Sequence, residues 1–143
     1  MANYLTGKVI IVTGAAGGFG GLVCKKAAGL GAKIVAADIN KKALAPLVQE
    51  IEKEGGSAVA VETDVTLRED MHRLATTAVD HFGHIDIMIN NAGIMPLAFY
   101  SDHNAAAKAW EKCIDINFKG VLNGIAAVHD QMIRQGRGHV VNI

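Results

Sequence analysis

Short apolar runs and longer segments of helical periodicity take turns along the chain. Val9-Ile10-Ile11-Val12 carries no polar interruption, and Lys8–Thr13 is predicted as a first strand. A helix follows over roughly Gly18–Gly29, then a second strand over Lys33–Asp38. Lys41–Glu54 places Leu44, Leu47, Val48 and Ile51 on one helical face, and Gly55-Gly56 ends it. Ala58–Glu62 reads as a third strand, Arg68–Phe82 as a helix stopped by Gly83, and Ile85–Asn90 as a fourth strand. A long helical pattern runs from about Ala105 to Arg134, its apolar side marked by Trp110, Ile114, Phe118, Val121, Leu122, Ile125 and Met132. His139–Ile143 is a fifth strand. Apolar runs without alternation belong to strands buried on both faces, as in a parallel sheet covered by helices. Right-handed crossovers then give a doubly wound α/β sheet, with an expected strand order of 3-2-1-4-5. The longest irregular piece, Gly93 to about Asn104, follows the fourth strand, at the end where ligands reach such a sheet.

Composition narrows the class. The 143 residues suffice for one domain with a real core and are too few for two ordinary ones, so 1–143 is expected to be a single domain. Half of the residues are hydrophobic, which excludes a disordered chain. Fourteen basic and fourteen acidic side chains cancel, leaving no electrostatic footprint for nucleic acid. Lys25-Lys26 and Lys41-Lys42 read as solvated helix faces. Cys24 and Cys113 offer no disulfide framework, suit a reducing cytosol and are expected to be small buried hydrophobes. Met1–Lys8 lacks the apolar core of a signal peptide, and no apolar run approaches a membrane span. A cytoplasmic protein without a membrane or nucleic-acid partner is expected.

The candidate chemistry begins at Thr13-Gly14-Ala15-Ala16-Gly17-Gly18-Phe19-Gly20, directly after the first strand. Strand, glycine-rich turn and helix is the order that sets a helix N-terminus against a bound pyrophosphate. The spacing is G-x-x-x-G-x-G rather than the commoner G-x-G-x-x-G, and such glycines also occur merely to pack a helix on a strand. Asp38, at the end of the second strand, is the complementary feature. A carboxylate there accepts hydrogen bonds from both adenosine ribose hydroxyls and repels a 2′-phosphate. Neither Gly17 nor Ile39 supplies a cation for such a phosphate, so NAD is favoured over NADP, although Lys41 and Lys42 lie close in sequence. The bland reading of Asp38 is a solvated loop aspartate. Together these features predict a Rossmann-like fold.

Thr13–Gly20, Asp38, Asp64-Val65 after the third strand, Asn90-Asn91-Ala92-Gly93 after the fourth, and Asn117 in the long helix occur in order through the chain. In this arrangement the sequence resembles the short-chain dehydrogenase/reductase family. The resemblance implies that Gly14, Gly17, Gly18, Phe19 and Gly20 cradle the cofactor, with Asp38 and Ile39 at the adenosine ribose. Asp64 and Val65 would meet the adenine. Asn91, Ala92 and Gly93 would pass beside the ribose and shape the nicotinamide end. Asn117 would sit at a local break in the long helix, its carbonyl holding a water in a proton relay; structural capping is the alternative, since a mid-helix Asn competes with the backbone.

In this family a hydride moves between the nicotinamide and a carbinol or carbonyl carbon while a tyrosine, its pKa lowered by a lysine, moves the proton. A serine hydrogen-bonds the substrate oxygen. The resemblance puts serine, tyrosine and lysine beyond Ile143, and neither Tyr4 nor Tyr100 stands in the catalytic position. The chain is therefore expected to be the N-terminal portion of a longer enzyme, its sheet truncated before the last strands, inactive alone and homo-oligomeric when complete. Its partner would be a small alcohol or carbonyl substrate.

Other constellations give way to simpler readings. His81 and His84 flank Gly83 as surface histidines, and no metal site is expected. Ser101-Asp102-His103 are consecutive, which forbids triad geometry. Two further functions remain open: a non-catalytic dinucleotide-binding module, and a methyltransferase, against which Asn90–Gly93 argues.

Overall fold

The computed structural model describes residues 3–143. Five strands, β1 (Val9–Thr13), β2 (Lys33–Asp38), β3 (Ser57–Glu62), β4 (Ile87–Asn90) and β5 (His139–Asn142), alternate with helices α1 (Gly18–Gly29), α2 (Lys41–Lys53), α3 (Arg68–Phe82), α4 (His103–Ile114) and α5 (Gly120–Gln135). The strands pair in parallel in the order β3-β2-β1-β4-β5, as expected for a Rossmann-like doubly wound sheet. Every residue of β1 is buried, which is why its sequence shows no polar alternation. Alternate positions along the strands feed separate cores. Val9, Ile11, Val35 and Met88 pack toward α3 and α5 with Met71 and Leu74, whereas Ile10, Val12 and Ile34 pack toward α1 and α2 with Leu44 and Ile51.

The N-terminal edge of the sheet is tied by Asp86, 5% exposed. Its carboxylate accepts from the Val9 amide at 2.9 Å, from Lys8 Nζ at 3.2 Å and from Arg137 Nε at 3.2 Å; His84 Nε2 lies 2.8 Å away. The group thereby joins the starts of β1, β4 and β5. Burial raises the Asp86 carboxyl, but these donors and the His84 charge outweigh it and hold the pKa below its ordinary 3.8.

Two expectations need correction. β4 starts at Ile87 rather than Ile85, because the Gln135 side chain takes both backbone groups of Ile85, at 3.0 and 2.7 Å. The long helix is also not continuous. A π turn over Asp115–Lys119 separates α4 from α5. The extra residue shifts the helical phase, so one periodicity cannot describe both halves. The large side chains Ile114, Phe118 and Leu122 face outward, while Gly120, Gly124 and Val128 are buried. α5 approaches the sheet through small residues: a Cβ on Gly124 would run into the Asn90 side chain and lie 3.0 Å from Met88 Cε. Among the described residues, no helix is long and apolar enough to cross a membrane.

Candidate functional site

The C-terminal ends of β1 to β4 open onto a cleft of about 240 Å³. One side is formed by Gly14, Asp38, Ile39, Thr63, Asp64 and Val65, the other by Ala92, Gly93, Ile94 and Ile116. Seven residues singled out in the sequence thus share one space. A larger groove, about 410 Å³ between α3 and α5, is bordered by Arg68, His72, Arg73 and Asn123 and contains none of them.

The glycine turn divides into two kinds of position. Gly14 has φ +67°, and a Cβ on it would lie 2.8 Å from Ala92 Cα. A Cβ on Gly20 would collide with the Gly14 carbonyl and lie 2.8 Å from Asn91 Nδ2. Packing alone therefore explains these two. At Gly17 and Gly18 an added Cβ meets nothing within 4 Å, so no contact among the described residues demands glycine there. Ala15 N donates to Ala37 O at 3.0 Å and Ala16 N to Asp38 Oδ2 at 3.1 Å. In contrast, among the described residues the amides of Gly18, Phe19 and Gly20 have no acceptor, and the N-cap Gly17 offers no side chain. Unpaired amides in a Cβ-free recess at a helix N-terminus form an anion-accepting surface. The Phe19 ring is 79% exposed and outside the cleft, so only its amide belongs to this surface.

Asp38 is half-buried as the last residue of β2. Its two oxygens accept from the Ala16 amide and, at 2.9 Å, from the Asn40 amide, fixing the glycine turn to the end of β2. Each carboxylate oxygen has a second lone pair, so acceptor capacity remains for a ligand. Ile39 stands exposed on the rim. Asp64 Oδ1 accepts from Thr66 N and Oγ1 at 2.9 and 2.7 Å, shaping the turn into α3. The Asp64 amide donates to Asp70 Oδ2 at 2.9 Å and holds that carboxyl below its usual range against desolvation, with Arg73 adding to the effect. Val65 is buried beneath Gly120, where a Cβ would come within 2.7 Å of its methyl group.

Asn91 has a structural duty that the sequence did not disclose. Its side chain donates to Thr13 O at 2.9 Å, while its amide and that of Ala92 donate to Thr13 Oγ1 at 3.0 and 3.1 Å. Thr13 is thus the hub joining the ends of β1 and β4; a polar residue closing an apolar run was its only signal. Asn117 lies in the π turn, the local break expected in the long helix. Its Oδ1 accepts from Ile94 N at 2.9 Å and its Nδ2 donates to Ile94 O at 2.7 Å, so the side chain clamps the loop after β4 rather than capping its own helix. Cys113 is half-buried beside this clamp, contrary to the expectation of a buried hydrophobe. Cys24 does meet it: burial pushes its thiol up to about 12.

Tyr4 and Lys8 have the Tyr-x-x-x-Lys spacing, but Lys8 lies at the opposite edge of the sheet, bonded to Asp86 and 5.4 Å from the Tyr4 ring centre. His84 turns to Asp86 while His81 Nδ1 sits 3.1 Å from Thr77 O, so the two diverge.

Strand order, glycine turn and strand-end cleft define a doubly wound, Rossmann-like α/β protein. The short chain dehydrogenase family model matches residues 8–143, and the chain belongs to that family. An uncharacterized oxidoreductase of Listeria monocytogenes is 44% identical over 134 residues, covering 94% of this chain and 53% of the relative. The 2,5-dichloro-2,5-cyclohexadiene-1,4-diol dehydrogenase of Sphingobium indicum is 33% identical over 143 residues, covering 100% and 56%. Among solved structures, a short chain dehydrogenase/reductase from Burkholderia phymatum in complex with NAD superposes with a TM-score of 0.89 at 33% identity, covering 95% of this chain and 48% of that one. An NAD+-bound xylitol dehydrogenase gives 0.90 at 31% identity, covering 96% and 52%. The chain spans about half the length of the curated relatives it matches.

Proposed function

We propose that residues 1–143 form a single cofactor-binding domain of an NAD-dependent dehydrogenase acting on a secondary alcohol or carbonyl compound. One observation carries the coenzyme choice: among the described residues, the charged side chains bordering the cleft are Asp38 and Asp64, both acidic. A 2′-phosphate at Asp38 would meet negative charge with no cation to offset it. The family's structural neighbours bound to NAD support the same reading.

In this reading the amides of Gly18, Phe19 and Gly20, opened by Gly17 and Gly18, receive the pyrophosphate. Gly14 and Gly20 let the turn close. Asp38 orients the ribose hydroxyls with Ile39 alongside, Asp64 and Val65 take the adenine, and Asn91, Ala92 and Gly93 wall the nicotinamide end. Asn117 offers its carbonyl to a water of the proton relay. The bound nicotinamide supplies the hydride chemistry. In the same reading the family's proton-transfer serine, tyrosine and lysine lie outside residues 1–143, and the chain alone binds without turnover.

The protein acts in the cytoplasm, consistent with two unpaired cysteines. It forms a homo-oligomer through the outward stripe of Ile114, Phe118 and Leu122; a monomer on sedimentation of the complete protein would refute this. Titration of the chain with NADH and NADPH, followed by nicotinamide fluorescence, tests the central claim. Tighter NADH binding is expected, and no NADH binding would overturn it.

A further inference from the structure

The loop after β4 leaves the cleft at Gly93 and Ile94 and then runs without regular structure to Phe99, with Met95, Leu97 and Phe99 exposed. Among the described residues, the bonds that fix this departure point are those to Ile94. Asn117 takes its amide and reaches its carbonyl. Cys113, one helical turn earlier, completes the set. Its Sγ lies 3.4 Å from Ile94 O, as donor, and 3.4 Å from Asn117 Nδ2, as acceptor. The thiol therefore links the Asn117 amide to the carbonyl that the same amide grips, closing a three-membered ring of contacts. An Asn side chain attached to a π turn has rotational freedom about its terminal torsion, and a second contact on its Nδ2 selects the orientation that serves Ile94.

We propose that Cys113 is a positioning residue for the nicotinamide-end wall of the cleft, acting through Asn117 on Ile94. The inference rests on the cofactor reading for the word nicotinamide, while the clamp itself stands on the contacts. Valine at this position removes both the donor and the acceptor while adding one methyl group to the space the thiol fills. Serine keeps both with a shorter reach.

The test compares Cys113→Val and Cys113→Ser in the full chain by amide hydrogen exchange at Ile94 and by binding of NADH and of ADP-ribose, which lacks the nicotinamide. In Cys113→Val the Ile94 amide is expected to exchange about tenfold faster, and NADH affinity to fall about fivefold, the weight of one modest hydrogen bond. ADP-ribose affinity should not change, and Cys113→Ser should recover most of both effects. Wild-type exchange at Ile94 in Cys113→Val overturns the clamp, whatever the cofactor. Equal weakening of NADH and ADP-ribose overturns the positioning role in favour of general loosening. Failure of the unsubstituted chain to bind NADH rejects the cofactor reading alone, and the exchange comparison still decides the clamp.

Discussion

The glycine turn separates packing from ligand binding, and two alanine substitutions tell them apart. In Gly20→Ala the new Cβ would overlap the Gly14 carbonyl, with Asn91 Nδ2 at 2.8 Å and Gly14 C at 2.9 Å. Gly14 is backbone in a turn fixed by its positive φ, so it cannot yield cheaply; Asn91 yields only by releasing Thr13 O. Overpacking of this kind costs about 1–3 kcal/mol, and the displaced hydrogen bond about 1 kcal/mol more. Replacing glycine by alanine in a helix returns at most ~1 kcal/mol. The expected net loss is roughly 1–3 kcal/mol, which for a chain of this size lowers Tm by about 3–10 °C. Gly18→Ala adds its Cβ to open space and should stay within ~0.5 kcal/mol of the unsubstituted protein. Its methyl group occupies the recess before the free amides, so NADH affinity should drop about tenfold. Urea denaturation at constant slope measures the first quantity and NADH fluorescence titration the second. A Gly20→Ala protein as stable as its parent, or a Gly18→Ala protein that loses stability but binds NADH normally, would refute the division.

Three further outcomes are expected. Asp38→Ala should weaken NADH binding and narrow the gap to NADPH in the same titration; an unchanged preference would mean that this carboxylate does not read the ribose. Thr13→Val preserves shape but leaves the Asn91 and Ala92 amides without their acceptor, and chemical denaturation should show a loss of about 2–4 kcal/mol. Asp86 has a folded pKa below its unfolded value, so its stabilisation is complete above the ordinary carboxylate range and is lost as pH falls through the folded pKa. Asp86→Asn should therefore lose roughly 2 kcal/mol at pH 7 and show a shallower acid dependence below about pH 4 than the parent, measured by urea titration across that window.

The alternation of unbroken apolar runs with helical periodicities was enough to place five strands in a parallel sheet covered by helices, because burial on both faces of such a sheet leaves no room for polar alternation. The cleft residues Gly14, Asp38, Asp64, Val65, Ala92 and Gly93 were legible for a related reason: each directly follows a strand, and parallel strands deliver such residues to one edge. The direction of the long helix's apolar side was not legible. The outward turn of Ile114, Phe118 and Leu122 depends on a phase shift at Asp115–Lys119 and on how closely Gly124 lets α5 approach Asn90. The same holds for Thr13 and Asn91, residues 78 apart that clasp two strand ends, and for Asn117 and Cys113 gripping Ile94 across the cleft's rim. Periodicity and strand-end position are local properties written in the order of residues. Which glycine is needed for packing and which polar side chain has its bonds committed elsewhere depend on contacts between distant segments, and those exist only once the chain has folded.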